Sequence, residues 1–149
     1  MLITFLASYL IFIMFAGTLV IWISDGKIKK EQIIHAFFAV IIAFLATQAI
    51  KVIFPRNRPF LKNGEQPLTL TVPQDSAFPS SHTAIAFSLA VTFFLHSKKL
   101  GIVYLVLALL IGLARVVGNV HYPSDIIAGA IVGTVVAYMI EKRHIFTIK

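Results

Sequence analysis

The sequence predicts an all-α integral membrane bundle with about five transmembrane helices, and three observations lead there. Of its 149 residues 58% are hydrophobic and 13% charged, with a mean hydropathy of +0.90, too apolar for a soluble domain of this size. Apolar runs recur at the length that crosses a hydrocarbon core about 30 Å thick, and five of them use about two thirds of the chain. Lys and Arg stand in short blocks between the runs and not along one basic face, so the net charge of +7 reads as topology and predicts no nucleic-acid partner. Residues 1–149 are therefore expected to form a single transmembrane domain, with none left for a soluble one. The lack of Cys excludes disulfides, thiolate nucleophiles and Cys-based metal sites.

The first run, Leu2 to Ser24, carries no charge. A signal peptide is the rival reading, but there is no basic start, the run outlasts an ordinary apolar core, and no A-x-A precedes Asp25. The second run spans Ile33–Phe54, the third Pro79–Leu95, the fourth Leu100–Val117 and the fifth Ser124–Ile140. Because successive spans alternate, the segments Asp25–Gln32, Ser97–Lys99 and Glu141–Lys149 share one side, with eight Lys or Arg against three acids. The other side has five against three, so the first side is expected to be cytoplasmic and the N-terminus outside. The connection Pro55–Phe78 is longer than an ordinary irregular loop, and its Leu68–Val72 alternates like a short strand or interfacial segment. A partly ordered cover over the outer face is expected there. Ala108 with Gly112, Ala114 with Gly118, and Gly129 with Gly133 sit four apart, which suits close helix packing.

Three polar clusters interrupt the apolar pattern, each at a span end on the less basic side. The first is Lys51 with Arg58 and Pro59; the second is Pro79-Ser80-Ser81-His82; the third is Arg115, His121, Pro123 and Asp125. Lys51 alone would read as a residue snorkelling to the headgroups, and Arg58 and Arg115 as lipid anchors. Their meeting with two His and an Asp predicts instead a site for a phosphoryl group, for which Arg offers paired planar donors and Lys a compact charge. Pro79 and Pro123 suit the first turns of two helices, so the N–H groups of Ser80, Ser81 and His82 are expected to face the anion; Ser80 also reads as a plain N-cap. Asp125, four residues after His121, would orient that ring and leave its other nitrogen free to attack, while His82 suits proton donation. His35, His96 and His144 read as interfacial residues outside this chemistry.

The patterns Lys51-x6-Arg58-Pro59, Pro79-Ser80-Ser81-His82 and Arg115-x5-His121-x3-Asp125 resemble, in order and spacing, the three signature motifs of the PAP2 (type 2 phosphatidic acid phosphatase) superfamily, over roughly Lys51 to Gly133. The resemblance implies a helical membrane lipid phosphatase, free of metal and other cofactors, that works through a phosphohistidine. Carried over by motif, His121 is the nucleophile, Asp125 its orienting partner and His82 the general acid, while Lys51, Arg58, Ser80, Ser81 and Arg115 hold the phosphate. Ser81 stands where the family usually has Gly, keeping the backbone N–H. Ala114 stands where it usually has Ser, so one hydroxyl contact is lost. Many members have six spans, and the resemblance implies that the first is missing here. Undecaprenyl diphosphate is the substrate it implies first, with phosphatidic acid, phosphatidylglycerol phosphate and lipid A phosphates as alternatives. A non-catalytic lipid-binding or transport protein with the same cationic pocket is the reading from another class. The partners expected are the bilayer and a lipid phosphate.

Overall fold

A computed structural model describes residues 1–24 and 30–142, without the side chains of Ser24, Lys30 and Glu31. Most of the basic segment expected at 25–32 and the tail beyond Lys142, with His144, lie outside these residues. The elements are α1 (Leu2–Ser8), α2 (Leu10–Ser24), α3 (Lys30–Ile53), α4 (Pro59–Asn63), α5 (Ser81–His96), α6 (Lys98–Val117) and α7 (Pro123–Lys142). The fold is all-helical. Gln32–Ile53 of α3, α6 and α7 are each long and apolar enough to cross a membrane, and α1 with α2 would make a fourth such segment. The expected third run is the apolar helix α5, which at sixteen residues is shorter than these, so three or four of the five expected spans meet the length. Side chains such as Leu109, Leu113, Ile127, Ile131 and Tyr138 stay exposed, as a lipid-facing surface requires.

The first apolar run departs from the single helix expected of it. α1 and α2 meet at a 54° bend around Tyr9, with neither Pro nor Gly at the break. There the Ala7 carbonyl accepts Arg115 Nη1 at 3.1 Å and the Ser8 hydroxyl accepts Leu70 N–H at 3.0 Å. Side chains and loops that enter a helix's own ladder are a known cause of sharp kinks. α2 is tied to α6 by Tyr104, whose hydroxyl donates to Met14 O at 3.0 Å and whose ring lies 4.6 Å from that of Phe93.

α5 is the central helix, packed on α3, α6 and α7. Lipid tails are as apolar as Leu, so such helices associate through close packing of small residues. Gly129 and Gly133 supply it on α7. A Cβ at Gly133 would run into the Ala84 carbonyl, and one at Gly129 into the Ser80 carbonyl, so α7 lies backbone-to-backbone against α5. α5 is also set low. Its first residue, Ser81, accepts a hydrogen bond at 3.0 Å from Thr47, which stands six residues before the end of α3, about 9 Å along that helix.

The sequence reads Leu68–Val72, within the connection Pro55–Phe78, as a short strand or an interfacial segment. Leu68–Val72 forms no strand; Leu68 N–H donates to the Gly118 carbonyl at 2.9 Å, and the segment runs irregularly over the ends of α1 and α6. Alternating polarity here reflects docking on two helix ends and not pairing with another strand. Short α4 follows Arg58, with Pro59 in its first turn and Gly64 left-handed at its end (φ 72°).

Candidate active site

Lys51 lies in the last turn of α3 and Arg115 in the last turn of α6, while Ser81 and His82 open α5. Arg58 precedes α4, and His121 sits in the turn before α7. All six line one cavity of about 180 Å³, together with Phe44, Gln48, Pro73, Asp75 and Ile85. Alternation of the helices thus brings three cations and two imidazoles to one end of the bundle.

The His121 tautomer follows from its neighbours. Its Nε2 lies 3.3 Å from Arg58 Nη1 and 3.4 Å from Arg115 Nη2. A guanidinium only donates, so Nε2 must present its lone pair and Nδ1 must carry the hydrogen. That Nδ1 faces Asp125 Oδ2 at 3.5 Å, an ion-pair separation too long to count as a hydrogen bond. Burial pushes the His121 pKa down to about 4; the Asp125 carboxylate pulls against this, and Arg115 and Arg58 add to it. The ring is therefore neutral at pH 7, with its free nitrogen among the cations.

Asp125 is fully buried and held from three directions. Tyr122 N–H donates to Oδ2 at 2.8 Å, Arg56 Nη1 donates to Oδ1 at 2.7 Å, and the Asp125 carbonyl accepts Ser80 N–H at 3.0 Å. Arg56 is braced by Ser124 Oγ at 2.7 Å and by the Tyr122 ring 4.1 Å below it. Arg56 escaped the motif reading because it lies between motif positions in a loop, where no periodicity marks it.

At the start of α5 one position departs from the sequence reading and one agrees with it. Pro79 lies before the N-cap and not in the first turn, and Ser80 caps the helix, its Oγ accepting Thr83 N–H at 3.4 Å and Thr83 Oγ1–H at 3.0 Å. Ser80 is fully buried and its N–H is given to the Asp125 carbonyl, while its neighbour Ser81 lines the cavity. The N–H groups of Ser81 and His82 make no hydrogen bond within the described residues and stand at a helix N-terminus, the place that favours an anion.

Asp75 was not foreseen. Its Oδ2 accepts Lys51 Nζ and its Oδ1 accepts Arg58 Nη2, both at 2.6 Å, while its carbonyl accepts Arg58 Nε at 2.9 Å. Burial raises its pKa, but Lys51 and Arg58 outweigh that and hold it at about 2. A half-exposed carboxylate thus rests on two of the three cations, while the Nε of Arg115 is buried without a partner. Arg58 is further held by the Val120 carbonyl at 2.9 Å. The arrangement can bind a tetrahedral anion and bring a neutral imidazole to it.

The chain matches the family model of the PAP2 superfamily over residues 32–145. It is 31% identical over 136 residues to a Bacillus licheniformis protein named bacitracin transport permease protein BcrC, which covers 91% of this chain and 67% of that one. It is 23% identical over 135 residues to undecaprenyl-diphosphatase BcrC of Bacillus subtilis, covering 91% and 69%. The crystal structure of Aquifex aeolicus LpxE superposes with a TM-score of 0.79 at 25% identity, covering 95% of this chain and 84% of that one.

Proposed function

The chain belongs to the PAP2 superfamily of membrane phosphatases, and from that premise we propose that it hydrolyses undecaprenyl diphosphate to the monophosphate and inorganic phosphate. The observation that carries the reading is the neutral His121 Nε2 standing between Arg58 and Arg115. The terminal phosphoryl group takes Lys51, Arg58 and Arg115, displacing Asp75, and the N–H groups of Ser81 and His82 add donors. His121 Nε2 attacks phosphorus, the bond to the bridging oxygen breaks, and His82, which takes up a proton from solvent once the diphosphate anion sits beside it, protonates the departing lipid monophosphate. The cations stabilise charge on the equatorial oxygens, the main electrostatic task in phosphoryl transfer. Asp125 stabilises the Nδ1–H of the phosphohistidine. Water, deprotonated by His82, then attacks phosphorus and releases phosphate and neutral His121. No metal is needed: the two acids near the cavity are engaged by cations, and a divalent ion would meet Lys51, Arg58 and Arg115.

The diphosphatase named among the relatives supports this substrate, and phosphatidic acid, phosphatidylglycerol phosphate and lipid A phosphates are its alternatives. The balance of positive charge supports a cytoplasmic membrane location with the cavity on the outer face. A second reading, binding or transport of an anionic lipid without hydrolysis, draws on the permease named among the relatives. Phosphate release from the four lipids by detergent-solubilised protein in EDTA tests both. The reading expects diphosphate to be cleaved fastest, a phosphoenzyme on His121, and no turnover in His121→Ala. Activity that needs a divalent metal, or an active His121→Ala, would overturn it.

A further inference from the structure

The helices that form the cavity carry a second cluster at their other ends. His35 lies in α3 sixteen residues before Lys51, His96 ends α5 fourteen residues after His82, and Glu141 lies in the last turn of α7 sixteen residues after Asp125, separations of about 21–24 Å along the helices. Glu141 Oε2 lies 3.2 Å from His35 Nδ1 and 3.0 Å from His96 Nε2. The three residues offer ligand atoms all within 4.8 Å of one another. We propose that His35, His96 and Glu141 form a binding site for a first-row divalent transition metal of the zinc type, which ties α3, α5 and α7 together at the end opposite the phosphate cavity.

The donor chemistry is that of such a site. Two imidazoles and one carboxylate suit Zn²⁺, with three protein ligands leaving a position for water. Ligands about 2.0–2.1 Å from a tetrahedral ion stand about 3.3 Å apart, close to the observed nitrogen–oxygen separations. Glu141 Oε2 is shared by both rings, and the His35 side chain is only 2% exposed, so one carboxylate oxygen and two imidazole nitrogens already converge on a partly enclosed point. His96 and Glu141, at 18% and 20% exposed, give the ion a route in from the surface. No polar lipid chemistry is required at this end, so the inference stands apart from the phosphatase reading.

The full chain in detergent, stripped with EDTA and dialysed, is titrated with Co²⁺ followed by visible absorbance, then competed with Zn²⁺; thermal unfolding is recorded with and without Zn²⁺. Wild type is expected to bind one equivalent and to melt at higher temperature with metal. His96→Ala and Glu141→Gln should bind at least 10–100-fold more weakly, the range that follows even loss of an outer-shell partner, while melting as wild type without metal. His121→Gln should bind as wild type. The proposal is overturned if wild type takes up no stoichiometric metal, if both cluster variants keep their affinity, or if His121→Gln abolishes binding. Phosphate release below the melting transition should persist in EDTA throughout, so loss of the metal site and loss of the catalytic mechanism give different results.

Discussion

Protonation of His121 is the most direct test of the cavity's electrostatics. Burial, with Arg115 and Arg58 beside the ring, holds its pKa at about 4, below the ordinary 6.5. At pH 5.5 an imidazole of pKa 4 is roughly 97% neutral and one of pKa 6.5 about 9% neutral, so the fraction of competent nucleophile differs about tenfold. The assay is the ¹⁵N NMR titration of labelled histidine in the substrate-free protein, with the His121 signal assigned by its loss in His121→Gln. Using free protein removes the ionisation of the substrate phosphate from the curve. Asp125→Asn should lower the midpoint further, because the carboxylate is the group that opposes the fall. Stability follows with a defined sign. Between pH 4 and 6.5 the unfolded chain binds more protons at this site than the native one, so stability rises with pH across that window, by on the order of 3 kcal/mol in all. A His121 midpoint at 6 or above, or one that rises in Asp125→Asn, would refute the reasoning.

Asp75 rests on Lys51 and Arg58, which a phosphate must also engage. Half-exposed pairs of this kind are worth up to about 1 kcal/mol each, so Asp75→Asn should lower KM about 3- to 10-fold with kcat little changed; a raised KM would mean that Asp75 positions the cations and does not compete with the substrate. Gly133→Ala should destabilise the protein by about 1–3 kcal/mol, because the new Cβ meets the Ala84 carbonyl and overpacks the α5–α7 contact. Thermal unfolding in detergent checks this, and an unchanged melting temperature would show that the two helices have slack.

Helix placement was legible because the apolar runs end where charge, Pro or Gly begins, and the runs agree with the helices to within a few residues. The bend at Tyr9 was not, since its partners, Arg115 and Leu70, come from distant parts of the chain and leave no local mark. Lys51, Arg58, Ser81, His82, Arg115 and His121 could be grouped because helix alternation alone sends them to one end. Asp75 and Arg56 lie in irregular chain, where sequence spacing carries no direction. Ser80 shows the same limit on a smaller scale: its type and position suit both a cap and an anion contact, and only the hydrogen bonds from Thr83 show the cap. His35 reads as an interfacial residue in isolation, yet it is buried beside a carboxylate 106 positions later in the chain.

The low seat of α5 bears on which molecules can reach the chemistry. A sixteen-residue helix is about 24 Å long, short of a hydrocarbon thickness of about 30 Å, while its neighbour α3 continues past it. Beside α3, the start of α5 lies about 9 Å short of that helix's end, so the cavity between them is recessed. An amphiphile anchored by its tail already holds its charged end near that depth and needs only a short descent. A recess at that depth suits the lipid-anchored phosphate proposed as substrate better than a phosphoester arriving from bulk water.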